Sequence, residues 1–365
     1  MLNSILTKEE IEKFKRQAIV GGFDSHSQKK LFNSKVLIVG VGGLGCPVSL
    51  YLAASGIGNI DLIEDDSIEL HNLPRQILFT ENDINKSKVE TAKARLREIN
   101  PKLNIKTYET KLSEDNVQIM KDYDVIVDCS DSIHAKYLIN DYSRIYNKNI
   151  VIGSVLGWQG QIFSITTDSS CYRCLFPAVK EFVVTCDMAG VVSPMCGIIG
   201  TMQAIEVIKF CINDYSPKMI VFNGKESDYM KINLKTPYKN CLACNKSKIE
   251  AVKKKCSLNI ENENVETITW KQYIENEDKY ELIDVRPAGL YNLYSFRNSK
   301  NVPYSEFEDY AHFEIDENLN YAILCNKGIT AAKFAEKLGC RNKNVFVIKG
   351  GLSKVGEISD EFPKI

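Results

Sequence analysis

A short apolar run that ends in a glycine-rich turn constrains this chain most: Val36-Leu37-Ile38-Val39 leads directly into Gly40-Val41-Gly42-Gly43-Leu44-Gly45. Beyond the glycines the pattern turns helical to about Ser55. Glycine lets the backbone approach a phosphate closely, and the helix start offers unpaired N–H groups and a positive dipole end. The alternative is a tight turn that needs glycine for packing alone. The alternation continues with a strand at Ile60 to Ile63, a helix from Lys88 to Ile99, strands at Val125 to Asp128 and Ile150 to Ile152, and a further strand at Gln161 to Thr166. Strands joined by helical crossovers predict an α/β fold, a mostly parallel sheet with helices on both faces.

At 365 residues the chain is long enough for two domains. Thr7 and Glu10 form a capping-box pattern for an opening helix that carries Arg16. The almost wholly apolar stretch Gly197 to Cys211 predicts a buried helix. Between about Lys235 and Glu266 the wording turns polar and reads as a linker, which sets boundaries of 1–245, a linker at 246–264, and 265–365. The last segment restarts the alternation on a smaller scale. With 46 basic against 47 acidic residues there is no basic stripe, so nucleic acid is not an expected partner. Charged residues occupy the N-terminus and no run reaches about 18 consecutive apolar residues, so neither a signal peptide nor a membrane span is expected, and the expected location is cytoplasmic.

Glu64 closes the second strand, where an acidic side chain accepts ribose hydroxyl groups. To this point NAD and ATP fit equally. Arg75 within Asn72-Leu73-Pro74-Arg75-Gln76, Lys88, and Asp131 after the strand ending at Asp128 tip the reading to ATP. Cations and a carboxylate suited to Mg²⁺ serve phosphoryl chemistry and have no task in hydride transfer. The competing role for Asp131 is to cap the helix that follows. Twelve cysteines include Cys171-Tyr172-Arg173-Cys174 and Cys241-Leu242-Ala243-Cys244, two knuckles whose four thiolates make a closed, structural Zn²⁺ site. A redox CxxC or buried unpaired cysteines are the alternatives.

These motifs, in this order, resemble the MoeB/ThiF family, bacterial relatives of ubiquitin-activating enzymes, over about residues 8 to 245. The resemblance implies a Rossmann-like domain that uses ATP and Mg²⁺ and holds a four-cysteine Zn²⁺ site. It implies a nucleotide-binding set of Gly40, Gly42, Gly43, Gly45, Glu64, Asp66, Asn72, Arg75, Lys88 and Asp131, with Asp131 organising Mg²⁺. It also implies a homodimer in which Arg16 reaches into the partner's ATP site. Glu64 stands where the family usually has Asp, and Ser132 where Asn is usual.

Asp284-Val285-Arg286 and a strand running into Cys325-Asn326-Lys327-Gly328-Ile329-Thr330 resemble rhodanese-like domains over about residues 265 to 365. Backbone N–H groups of such a loop, together with Lys327, favour an anionic sulfur, which makes Cys325 the expected persulfide carrier. A cysteine simply buried at a strand end is the alternative. Residues 296–303 lack the His-Ile-Pro-Gly wording common in that family. Cys186 matches a position where some MoeB/ThiF relatives link to the carrier or relay sulfur.

The two resemblances imply an adenylyltransferase with sulfurtransferase activity. It activates the C-terminal Gly carboxylate of a small ubiquitin-like sulfur carrier ending in Gly-Gly and takes sulfur from a donor such as a cysteine desulfurase. Molybdopterin, thiamine, cysteine and tRNA-thiolation pathways all remain open. An NAD-dependent oxidoreductase with structural zinc and a non-catalytic carrier-protein scaffold are the rival readings.

Overall fold

The first helix begins where its capping box predicts. Thr7 Oγ1 accepts from the Glu10 N–H at 3.2 Å, and Glu10 Oε2 accepts from the Thr7 N–H at 2.8 Å. In the computed structural model this helix, α1, spans Lys8–Ala18 and turns Phe14 inward. The structure describes residues 6–177, 190–245, 265–304, 316, 318–326, 328–338 and 344–357. The chain divides into two compact units, residues 1–257 and 258–365.

In the first unit, α2 (Ser25–Asn33), capped by Asp24, leads into β1 (Lys35–Val39), α3 (Gly45–Ala54), β2 (Asn59–Ile63), α4 (Lys88–Ile99), β3 (Thr107–Tyr108) and β4 (Val125–Asp128). There follow α5 (Ile133–Tyr146), β5 (Asn149–Leu156), β6 (Gln159–Ile165), the short α6 (Tyr172–Leu175), α7 (Ser193–Ile212), β7 (Lys218–Asn223) and β8 (Asp228–Asn233). The eight strands lie in the order β3-β2-β1-β4-β5-β6-β7-β8. Pairing is parallel through β5 and antiparallel from β6 onward. From β1 the chain builds outward on one side through β2 and later on the other through β4. The carboxyl ends of these strands therefore flank a switch point, where open α/β sheets bind ligands.

Alternation along β1 divides the core. Val36 and Ile38 join Leu52, Leu62, Val127, Ile199 and Val207 on one face, while Leu37 and Val39 join Ile126, Ile139 and Phe163 on the other. Both faces are covered, which explains why the parallel strands read as continuous apolar runs. By length and composition α7 could cross a membrane, with a mean hydropathy of 1.5. Its apolar residues are not consecutive, because Thr201, Gln203, Glu206 and Lys209 interrupt the run. Its Met195, Ile199, Ala204, Val207 and Phe210 are buried in the first unit's core.

The second unit contains β9 (Thr267–Ile268), α8 (Trp270–Ile274), β10 (Tyr280–Asp284), α9 (Ala288–Leu293), β11 (Lys300–Asn301), β12 (Asn320–Leu324), α10 (Ile329–Lys337) and β13 (Val345–Ile348). Its sheet is parallel, in the order β11-β10-β12-β13-β9. Trp270, Tyr273 and Phe296 cluster in its core, and the Trp270 indole N–H donates to the Gly351 carbonyl at 2.7 Å.

The expected linker at 246–264 lies outside the described residues. The start of the polar stretch, before residue 246, is not linker: Cys241 and Ala243 are buried in the first unit's core.

Candidate functional site

The glycines pack as a close-approach loop. Gly40 takes φ +90°, and a Cβ there would lie 2.9 Å from the Ser130 nitrogen. A Cβ on Gly45 would lie 2.1 Å from the Gly40 carbonyl oxygen, and one on Gly43 would lie 2.9 Å from Cys196 Sγ and 3.5 Å from Arg75 Cγ. The loop thus touches the end of β4 on one side and the Arg75 side chain on another. Gln76, beside Gly42, is buried, and its Oε1 has no hydrogen-bond partner. Four glycines without Cβ atoms and the first N–H groups of α3 suit a phosphate-bearing ligand, and the Gln76 Oε1 acceptor suits a hydroxyl or amino donor on such a ligand.

Glu64 extends from β2 back to the loop: Oε2 accepts from the Val41 N–H at 3.2 Å, and Oε1 from the Asp65 and Asp66 N–H groups at 3.0 and 3.2 Å. Lys88, the first residue of α4, is only 4% exposed and pairs with the exposed Asp66 at 2.9 Å. Arg75 donates to the His71 carbonyl at 2.7 Å. Asn72 is buried in its own turn, accepting from the Glu69 N–H at 3.0 Å and facing His71 Nε2 at 3.1 Å. The competing role for Asp131 does not hold. Ser132 caps α5, accepting from the Ala135 N–H at 3.2 Å. Asp131 is exposed after β4, and no hydrogen bond or ion pair is formed by it among the described residues.

Glycine loop, Glu64, Asp66, Arg75, Lys88 and the Ser130–Asp131 loop therefore converge. Arg16 does not join them within its own chain. Its neighbour Gln17 donates to the Ser55 carbonyl at the far end of α3, roughly 15 Å from that helix's glycine start. Arg16 is exposed. Cys186 lies outside the described residues. Burial pushes the Cys46 thiol up to about 12 and raises Cys129 well above its ordinary value, which disfavours the thiolate form of both. Sequence reasoning passed over Lys136, which the fold buries beneath the Asp131 loop; a lysine on a helix ordinarily reads as solvated.

The four knuckle sulfurs meet. Cys171 and Cys174 Sγ are 3.8 Å apart, Cys171 and Cys241 3.5 Å, Cys174 and Cys244 3.7 Å, and all four lie within 4.8 Å of one another. Metal–sulfur bonds of about 2.3 Å in a tetrahedron require S···S separations near 3.8 Å, whereas a disulfide requires about 2.05 Å. This cluster suits a tetrahedral metal with no open position. Asn140 Nδ2 donates to Cys171 Sγ at 3.7 Å, and Arg173 pairs with Asp141 at 2.7 and 2.8 Å, which ties the first knuckle to α5.

In the second unit Cys325 follows β12, is buried, and its Sγ accepts from the Gly328 and Ala331 N–H groups at 3.1 and 3.4 Å. Gly328, at φ +84°, turns the loop so that α10 starts at the sulfur. The loop and the start of α10 thus aim two backbone donors at the Cys325 sulfur. Lys327 lies outside the described residues. Asp284 and Arg286 form a buried bidentate pair at 2.7 to 3.0 Å.

The ThiF family profile matches residues 14–243, and the rhodanese-like domain profile matches residues 269–357. The adenylyltransferase and sulfurtransferase MOCS3 of Culex quinquefasciatus is 33% identical over 88% of this chain and 81% of its own length. That of Dictyostelium discoideum is 34% identical over 86% of this chain and 80% of its own. The solved structure of E. coli MccB with ATP is 27% identical, with a TM-score of 0.54, over 60% of this chain and 69% of that one. The chain belongs to the ThiF family, and a rhodanese-like domain follows its ThiF domain.

Proposed function

We propose that this enzyme adenylates the C-terminal Gly carboxylate of a small ubiquitin-like sulfur carrier ending in Gly-Gly and converts it to a thiocarboxylate. One observation supports this above the others: a loop with four glycines, the buried Lys88 ammonium and an Asp131 without a partner among the described residues converge at the sheet's switch point, in a chain that also aims two N–H donors at Cys325 Sγ. The MOCS3 relatives align over 88% and 86% of this chain and are named for both activities.

A terminal carboxylate has a pKa of about 3.5 and needs no general base near neutrality. Its oxygen attacks the α-phosphorus of ATP, the bond to the β-phosphate oxygen breaks, and pyrophosphate leaves. Catalysis is then positioning and charge stabilisation. The glycine loop and α3 start would hold phosphate, Arg75 and Lys88 would meet its charge, and Glu64 and Asp66 would line the ribose side. Asn72 would act by shaping the Arg75 turn. Bound Mg²⁺ supplies neutralisation of phosphate charge, and Asp131 is the residue that would hold it. Arg16 would come from the second subunit of a homodimer.

The terminal sulfur of a Cys325 persulfide, loaded by a donor such as a cysteine desulfurase, attacks the acyl carbon and AMP departs. A thiolate, Cys186 in this reading, then attacks Cys325 Sγ. The carrier leaves as a thiocarboxylate, and a Cys186–Cys325 disulfide remains for an external dithiol to reduce. The knuckle cysteines would hold structural Zn²⁺. The adenylyltransferase domain covers 1–245 and the rhodanese-like domain 265–365, and the working location is the cytoplasm.

Carrier-dependent ATP–pyrophosphate exchange tests the first step. Asp131→Asn abolishes it on this reading, and an unchanged rate overturns the assignment.

A further inference from the structure

The Asp131 loop is held by a buried charge on the next helix. Lys136, in the first turn of α5, is 4% exposed, and its ammonium spends all three donors: on Asp128 Oδ2 at 3.0 Å, the Ser130 carbonyl at 2.9 Å and the Gly153 carbonyl at 2.8 Å. Asp128 is wholly buried, and its other oxygen accepts from the Ser130 N–H at 2.9 Å and hydroxyl at 2.7 Å. Gln203 donates to the Asp128 carbonyl at 2.9 Å from α7. These bonds tie the end of β4, the loop and β5 into one unit. Ser130, gripped through carbonyl, N–H and hydroxyl, is the residue before Asp131 and the one against which Gly40 packs.

A lysine inside a protein is costly unless its charge is paired and its donors are used. If it served only to pack α5, an apolar residue would fill the space more cheaply. The network converges instead on the backbone just ahead of Asp131, whose carboxylate forms no hydrogen bond or ion pair among the described residues.

We infer that Lys136, with Asp128 and Ser130, is a positioning clamp that fixes Asp131 for the divalent cation accompanying ATP. The inference rests on the nucleotide reading proposed above. Lys136 touches neither ATP nor carrier in this account and acts through the loop backbone.

Isothermal titration of the full chain with ATP, with and without Mg²⁺ and without any carrier, reads the clamp directly. In the parent, Mg²⁺ tightens ATP binding by a coupling factor of about 5 to 150. Lys136→Met lowers that factor to about twofold or less while Mg²⁺-free ATP affinity is retained. Because the variant leaves Asp128 charged and unpaired, Lys136→Met/Asp128→Asn is the companion. It regains thermal stability but not the coupling, since the Ser130 and Gly153 carbonyls stay unclamped. A purely structural ion pair would show recovery of both, and that outcome overturns the inference. Should neither variant fold, Ser130→Ala removes one hydroxyl bond and keeps the ion pair; the coupling then falls by about two- to tenfold, and an unchanged factor is contradictory. A parent whose ATP affinity ignores Mg²⁺ defeats the site reading itself, whereas a coupled parent matched by its variants defeats the clamp alone.

Discussion

Gly45→Ala isolates the nucleotide loop from everything else the chain does. The added carbon would lie 2.1 Å from the Gly40 carbonyl oxygen. A comfortable C···O contact is about 3.3 to 3.6 Å, so Gly40 and the start of α3 must separate by roughly 1.2 Å or more. Overpacking of this kind costs about 1 to 3 kcal/mol when the surroundings yield. The yielding atoms are the loop that would receive phosphate. If the displacement is charged against binding, ATP affinity falls by about 5- to 150-fold at 1.4 kcal/mol per decade. Gly197→Ala is the control: on α7 its new carbon meets nothing within 4 Å. It is expected to raise stability by about 0.5 to 1 kcal/mol through helix propensity and to leave ATP binding untouched. Calorimetric ATP titration and thermal unfolding of both variants give the comparison. Parental ATP affinity in a folded Gly45→Ala protein would falsify the close-approach argument.

Four further outcomes follow from the geometry. Stoichiometric zinc, about one per chain, should be released by a thiol-directed mercurial together with a loss of thermal stability, and Cys241→Ser should reproduce that loss; metal-free protein of parental stability speaks against the tetrahedral site. Cys325→Ala should leave carrier-dependent pyrophosphate exchange within about twofold of the parent and abolish thiocarboxylate formation, read by intact mass of the carrier. Asp131→Asn should reduce exchange by about 100-fold or more, measured at saturating ATP. Burial pushes the Asp83 carboxyl up, but hydrogen bonds from Thr80 and Lys86 outweigh it and hold it at about 2, against an ordinary 3.8. A depressed carboxylate contributes stability above 3.8 that is lost as pH falls toward about 2. Urea titrations should therefore show Asp83→Asn losing at most about 2 kcal/mol near neutrality, and a shrinking difference in acid; a gap independent of pH contradicts the assignment.

Where apolar periodicity is strong, local pattern and tertiary structure agree. Helix α4 begins at Lys88 and ends at Ile99 as predicted, and β4 coincides with Val125 to Asp128. The misses have physical causes. The sequence of α2 offers only Leu31 and Phe32 as apolar anchors, and every residue of β8 is exposed at the sheet edge, which leaves no alternation to read. The glycine loop and the paired knuckles were legible because their chemistry depends on residue type and spacing. Asn72 was not, since spacing cannot say which backbone group a side chain satisfies, and it satisfies its own turn. Lys136 was invisible for the same reason: its burial arises from Asp128 and Gly153, brought together only by strand pairing.

The chemistry as a whole is tested most directly by intact mass spectrometry of a purified Gly-Gly-ended carrier incubated with this protein, ATP and Mg²⁺, with and without persulfide loading. An AMP-linked carrier is expected in the unloaded reaction and a thiocarboxylate after loading, with AMP released. A carrier of unchanged mass in both reactions, from protein that binds ATP, would contradict that chemistry.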